Sequence, residues 1–201
     1  MLTGIRAVLL DMDGTLVDSD AAVARAWRTW SAEYGVDPDR AVEAGHGRPA
    51  EATIRLLLPH LSDVEVAAAA ERDHELQYDD LADVVAMPGA DRLLSTLDSR
   101  GLPWAVVTSA DQRLAKARLT AAGITPPLLV TVEDVRRGKP DPEGYLLAAA
   151  RLGVEPRACL VVEDSPAGLA AGRRAGALTA ALRGLAGDVS LDGLDQLTDL
   201  L

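Results

Sequence analysis

Phenylalanine is absent from this chain, cysteine occurs once, and aromatic residues make up only 3% of its 201 positions. The single cysteine, Cys159, leaves no partner for a disulfide within the chain and points to a reducing compartment, the cytoplasm. Basic residues are few against acidic ones, 20 against 31, giving a net charge of -11. Nucleic acid and anionic membrane would both be approached against repulsion, so neither is expected as a partner. Long hydrophobic runs are also missing. The apolar stretch after Arg6 stops at Asp11, too short for a signal-peptide core, and the longest uncharged run, Leu119 to Val132, is interrupted by Gly123, Pro126 and Pro127. No membrane span is expected. Lysine occurs only twice, which leaves 18 of the 20 basic residues as arginine and makes either lysine conspicuous.

What the chain has is the means to bury a core: 48% apolar residues against 25% charged. That balance excludes disordered, collagen-like and disulfide-scaffold classes. The length suits one domain, or a core domain carrying a modest insertion. Apolar runs at Ala7 to Leu10, Trp104 to Val107, Leu128 to Val132, Cys159 to Val162 and Leu178 to Leu182 read as strands. They are apolar throughout rather than alternating, as strands covered on both faces are. Helical patterns at Asp91 to Leu97, Gln112 to Ala122, Pro142 to Leu152 and Ala167 to Arg174 separate the later runs, with stops near Gly101, Gly123, Gly153 and Gly176. The expected class is α/β: a Rossmann-like, three-layer core around a parallel sheet.

Between the first two runs the rhythm breaks. Residues 17–84 hold helical patterns such as Asp20 to Tyr34 and Val64 to Tyr78 but no convincing strand, and Ser62 with Glu65 forms a candidate capping box. The expected organisation is an all-helical cap domain at 17–84 inserted into a core domain formed by 1–16 and 85–201.

Open parallel sheets bind ligands beyond the carboxyl ends of their strands. Asp11 and Asp13 follow the first run, Thr108 and Ser109 the second, the Gly138, Lys139, Pro140 loop the third, and Glu163 with Asp164 ends the fourth. Clustered carboxylates raise one another's pKa unless a cation sits among them, and hard oxygen ligands suit Mg²⁺. A lysine facing a metal-loaded acidic pocket suits an anion with several oxygens, such as phosphate. Two aspartates two residues apart can divide the work, one as nucleophile on phosphorus and one as proton donor to the leaving oxygen.

The segments DMDGTLVDS at 11–19, VVTSA at 106–110, RGKPDPEGY at 137–145 and VVEDSPAG at 161–168 resemble, in order, the four motifs of the haloacid dehalogenase superfamily. Nearly the whole chain is covered. The resemblance implies Asp11 as the phosphoryl-accepting nucleophile, Asp13 as general acid and then base, and Thr108 and Lys139 as phosphate binders. It also implies Mg²⁺ held by Asp11, the backbone carbonyl of Asp13, and Asp164, with Glu163 beside the metal. A helical insertion between the first two motifs is similar to that of sugar-phosphate phosphatases and β-phosphoglucomutases. Dehalogenases of this group generally lack the second aspartate, present here as Asp13. β-Phosphoglucomutases usually carry a histidine where this chain has Val23, and HGRP at 46–49 looks more like the small sugar and polyol phosphatases. The expected activity is hydrolysis of a small phosphomonoester, a sugar or polyol phosphate, by a monomer. Ser109, His46 and Arg48 are the candidate substrate contacts, and a sugar phosphomutase is the alternative.

Plainer readings apply elsewhere. Gly45, Gly47 and Ala50 fit a dinucleotide-type glycine pattern without a preceding strand. Arg48 has a local alternative in closing or salt-bridging its own helix. Response-regulator receivers use a similar set of side chains, but their acceptor aspartate follows the third strand rather than the first.

Overall fold

A computed structural model describes residues 2–45, 48–78 and 81–201. Five strands arise where the apolar runs predict them: β1 at Ala7–Leu10, β4 at Trp104–Val107, β5 at Leu129–Val130, β6 at Cys159–Glu163 and β7 at Leu178–Ala181. Three two-residue strands were not expected: β2 at Val17–Asp18, β3 at Val85–Ala86 and β8 at Val189–Ser190. The main sheet is parallel, with the order β5-β4-β1-β6-β7-β8. Every residue of β1, β4 and β6 is buried, so both faces of the sheet centre are covered.

The helices on the sheet begin and end on local signals. α5 spans Ala90–Ser99, α6 Gln112–Ala121, α7 Glu143–Leu152, α8 Pro166–Ala175 and α9 Leu194–Leu200. Asp111 caps α6 by accepting from the Leu114 N–H, and Ser165 caps α8 by accepting from the Gly168 N–H. Gly153 and Gly176 close α7 and α8 at φ 69° and 81°, a left-handed turn that a side chain would resist. Tyr145, Ala148 and Ala149 of α7 and Ala171 and Ala175 of α8 pack on one sheet face against Leu9, Val107 and Val161. The small side chains let these helices approach the sheet closely.

The chain divides into two compact units, Met1–Asp18 with Val85–Leu201, and Ser19–Val84. β2 and β3 pair antiparallel where the chain leaves the first unit and returns to it. The second unit contains α1 at Asp20–Tyr34, α2 at Pro38–Gly45, α3 at Ala50–Leu57 and α4 at Asp63–Tyr78. Its core is built on two of the three tryptophans. Trp27 and Trp30 meet edge to face at 5.2 Å, Trp30 stacks on Tyr34 at 4.5 Å, and the Trp30 indole N–H donates to the Ala69 carbonyl at 2.9 Å. The Ser62 and Glu65 capping box forms, with the Ser62 N–H donating to Glu65 Oε2 at 2.8 Å. α2 and α3 were not expected, being eight residues each and split by Pro49. Among the described residues no helix is long and apolar enough to cross a membrane.

Candidate active site

The strand order reverses about β1, whose neighbours are β4 on one side and β6 on the other. At such a switch point the carboxyl ends of three strands open a crevice. Register then decides which side chains meet there. Leu10 is paired with Val162, so Asp11 leaves β1 level with Glu163 at the end of β6. Leu10 also faces Val106 of β4, which places Thr108 at the same edge.

Lys139 bridges these ends. Its Nζ lies 2.5 Å from Asp11 Oδ1 and 2.6 Å from Glu163 Oε1, and donates to the Val107 carbonyl at 2.9 Å. The loop carrying it is tied down by Arg174, which donates to the Pro140 carbonyl at 2.8 Å. Burial opposes the ammonium charge, but Asp11 and Glu163 outweigh it and hold Lys139 above the ordinary lysine pKa. Burial, reinforced by Glu163 and Asp164, pushes the Asp11 carboxyl well above the usual range, with Lys139 acting in the other direction.

Glu163 is wholly buried and receives four hydrogen bonds. Tyr145 Oη donates to Oε1 at 2.7 Å alongside Lys139, and the Ser165 hydroxyl and N–H donate to Oε2 at 2.9 and 3.2 Å. Burial raises the Tyr145 pKa well above its ordinary value, with Glu163 and Asp11 adding to the effect, so it stays a phenol and a donor. α8 begins directly over this carboxylate: a Cβ on Gly168 would fall 1.7 Å from Glu163 Oε1.

Asp164 is gripped from the other side. Arg183, just after β7, places Nε 3.0 Å from Asp164 Oδ2, with its own backbone left-handed at φ 55°. For a non-glycine residue that conformation costs on the order of 1 kcal/mol, here offset by the ion pair. Gly14, at φ 77°, leaves the space: a Cβ there would lie 2.0 Å from Asp164 Oδ2. Carboxylate oxygens of Asp11, Glu163 and Asp164 all lie within 4.8 Å of one another. Three buried acids against two cations leave net negative charge in a pocket of hard oxygen donors, a set that fits Mg²⁺.

Asp13 stands in the loop after β1 and accepts from Arg118 Nη1 at 2.8 Å. Thr108 is buried with its hydroxyl accepting from the Ala110 N–H at 3.1 Å, while Ser109 is exposed. Both line one hollow with Lys139 and Tyr145. Of the remaining candidates, Arg48 donates to the Ala44 carbonyl at 2.7 Å, the local, helix-closing role described above. His46 lies outside the described residues. Arg118, Arg183 and Tyr145 were not singled out from the sequence. The clearest available signal was Arg118, a charged residue in the buried stripe Leu114, Ala115, Leu119 of α6. Cys159 is buried in β6 and burial raises its thiol pKa, so it packs as an inert side chain.

Comparison with known proteins follows the same geometry. Residues 5–176 match a family model described as a hydrolase, haloacid dehalogenase-like hydrolase. The chain is 40% identical to hexitol phosphatase A of Escherichia coli (strain K12), covering 96% of this chain and 93% of that protein. It is 35% identical to 2-deoxyglucose-6-phosphate phosphatase 1 of Saccharomyces cerevisiae, covering 85% and 77%. The crystal structure of a β-phosphoglucomutase from Clostridium difficile superposes with a TM-score of 0.86 over 96% of this chain and 93% of that one. At 22% identity this last likeness concerns the fold.

Proposed function

The chain belongs to the haloacid dehalogenase-like hydrolases, and from that premise we propose that it is a phosphatase that hydrolyses sugar or polyol phosphates through an aspartyl phosphate on Asp11. The observation that carries this reading is the placement of Asp11, a buried carboxylate held by Lys139 at the mouth of the sheet, with Asp13 two residues further on.

In the first half-reaction a carboxylate oxygen of Asp11 attacks phosphorus and the bond to the leaving oxygen breaks, while Asp13 gives that oxygen a proton. In the second, Asp13 takes a proton from water as its oxygen attacks phosphorus. The phosphorus–Asp11 bond breaks, which frees phosphate and restores both side chains. Lys139, Thr108 and Ser109 hold the phosphoryl oxygens and oppose the charge that grows on them. Asp11, Asp164 and the Asp13 carbonyl would hold Mg²⁺, with Glu163 beside it. Bound there, the cation supplies positive charge that keeps Asp11 ionised and draws in the phosphate dianion. Tyr145 and Ser165 fix Glu163, and Glu163 in turn fixes Lys139.

Release of inorganic phosphate tests the reaction. A panel of phosphorylated polyols and sugars is expected to give stoichiometric phosphate and free alcohol. Isomerisation of β-glucose 1-phosphate to glucose 6-phosphate, primed by a bisphosphate and releasing little phosphate, would establish a mutase instead. EDTA is expected to abolish turnover and Mg²⁺ to restore it. Asp164→Asn is expected to weaken Mg²⁺ binding by at least about tenfold in calorimetry; undiminished activity without divalent metal would reject the metal role.

The helical unit is assigned as the cap that selects the substrate, because a core that grips only phosphate treats all phosphomonoesters alike. His46 and Arg48 are its proposed contacts. Arg48→Ala is expected to reorder kcat/KM among polyol and sugar phosphates. An equal loss on every substrate would confine Arg48 to closing α2 through Ala44.

A further inference from the structure

We propose that Arg118 is a positioning residue that holds the Asp13 carboxyl in the orientation from which it exchanges protons with the leaving group and then with water. The inference rests on the acid and base role given to Asp13 above. It goes beyond that role by assigning its control to a helix 105 residues away.

Arg118 sits where α6 faces inward. Leu114, Ala115 and Leu119 share its buried stripe, whereas Arg113 and Lys116 of the same helix are exposed. Its side chain is only 3% exposed, against 30% for its partner Asp13. Taking a guanidinium out of water costs several kcal/mol, and replacing a buried ion pair by apolar side chains of similar volume is often neutral or stabilising. Packing therefore gives little reason for an arginine at this position.

The orientation of Asp13 gives one. Its backbone is already set: Asp13 bridges Val17, the Gly14 N–H donates to the Val17 carbonyl at 2.8 Å, and the Leu16 and Val17 N–H groups return to the Met12 carbonyl at 2.9 Å. None of these bonds fixes its side-chain torsions. The Arg118 Nη1 bond to Oδ1, at 2.8 Å, does. A guanidinium keeps its charge and points its N–H groups along fixed directions, and here its stem is clamped in the core. Positioned proton transfer contributes about 10²–10⁴-fold to rate and is lost with small misplacement.

The experiment compares kcat/KM, which reads binding and phosphoryl transfer to Asp11 but not hydrolysis of the phosphoenzyme, for p-nitrophenyl phosphate and sorbitol 6-phosphate. An aryl leaving group needs little protonation and an alkoxide needs much. Asp13→Asn is expected to lose at least about tenfold more on the sorbitol ester than on the aryl ester. Arg118→Met is expected to show the same skew, Arg118→Lys to recover part of it, and Arg118→Met added to Asp13→Asn to cost nothing further.

Equal losses on both esters in Asp13→Asn would overturn the role of Asp13 itself. A skew in Asp13→Asn that is missing from folded Arg118→Met, or losses that multiply in the double variant, would overturn the role of Arg118 alone. If neither Arg118 variant folds, by circular dichroism and thermal melting, the arginine is a structural requirement and the proposal fails.

Discussion

Asp11→Asn protein is expected to fold, to bind phosphomonoesters and to turn over roughly 10⁴-fold more slowly than wild type or worse, as loss of a nucleophile that no neighbour replaces does. Among the described residues Glu163 is the other acid paired with Lys139, and its oxygens accept from Lys139, Tyr145 and Ser165. Those donors hold it inward, at the buried foot of Lys139, which makes it a poor substitute for the nucleophile. The fold should survive, because the substitution removes one of three crowded buried acids and leaves Lys139 paired with Glu163. Burial already holds the Asp11 carboxyl above its usual range, so a neutral amide there relieves a cost. The measurement is steady-state phosphate release from well-purified variant, with a thermal melt beside it. Turnover like that of wild type would overturn the mechanism, whereas a collapse of the melt would show that Asp11 serves the fold.

Lys139→Met is expected to damage both rate and stability. It removes the ammonium that separates Asp11 from Glu163, at 2.5 and 2.6 Å from each. Loss of a donor to the transferring phosphoryl group costs about 10²–10³ in kcat, and stripping a buried carboxylate of its partner costs about 3–5 kcal/mol. The stability loss carries a pH signature. Burial holds the folded pKa of Asp11 well above the usual carboxylate range even with Lys139 present. The contribution of Asp11 is therefore most favourable below that range and is lost as pH rises through the folded pKa. Without Lys139 the folded pKa climbs further and the loss deepens. In metal-free buffer the gap in Tm between wild type and Lys139→Met is expected to be small near pH 4 and to widen towards pH 8. A gap that does not change with pH would show that Lys139 stabilises by packing its stem rather than by its charge.

Much of this architecture could be read along the chain because the signals are local. Val8 and Leu10 are as apolar as Ala7 and Leu9, and a strand with no polar face belongs between two layers of helices; the sheet has that form. Gly153 and Gly176 stop helices because few other residues take a left-handed turn cheaply. The strands β2, β3 and β8 escaped notice for the opposite reason. Two residues carry no period, and Val17 meets Ala86, and Asp18 meets Val85, only because the chain leaves and returns at the same place.

Asp11, Asp13, Thr108, Lys139, Glu163 and Asp164 were identifiable from position alone: each follows an apolar run, and parallel strands end at a common edge. The residues that hold them were not. Tyr145 bonds Glu163 because α7 lies on the face of the sheet where β6 ends, and Arg183 reaches Asp164 because β7 pairs with β6, Glu163 level with Ala181. Arg118 meets Asp13 through the rotation of α6 about its own axis. Hydrophobic pattern, turn residues and strand-end chemistry are properties of a few neighbouring residues, and these determined the fold class and the acids. Contacts between side chains a hundred residues apart depend on sheet order, register and helix rotation. Those are settled only when the whole core packs, so the tertiary structure alone decided which cation faces which acid.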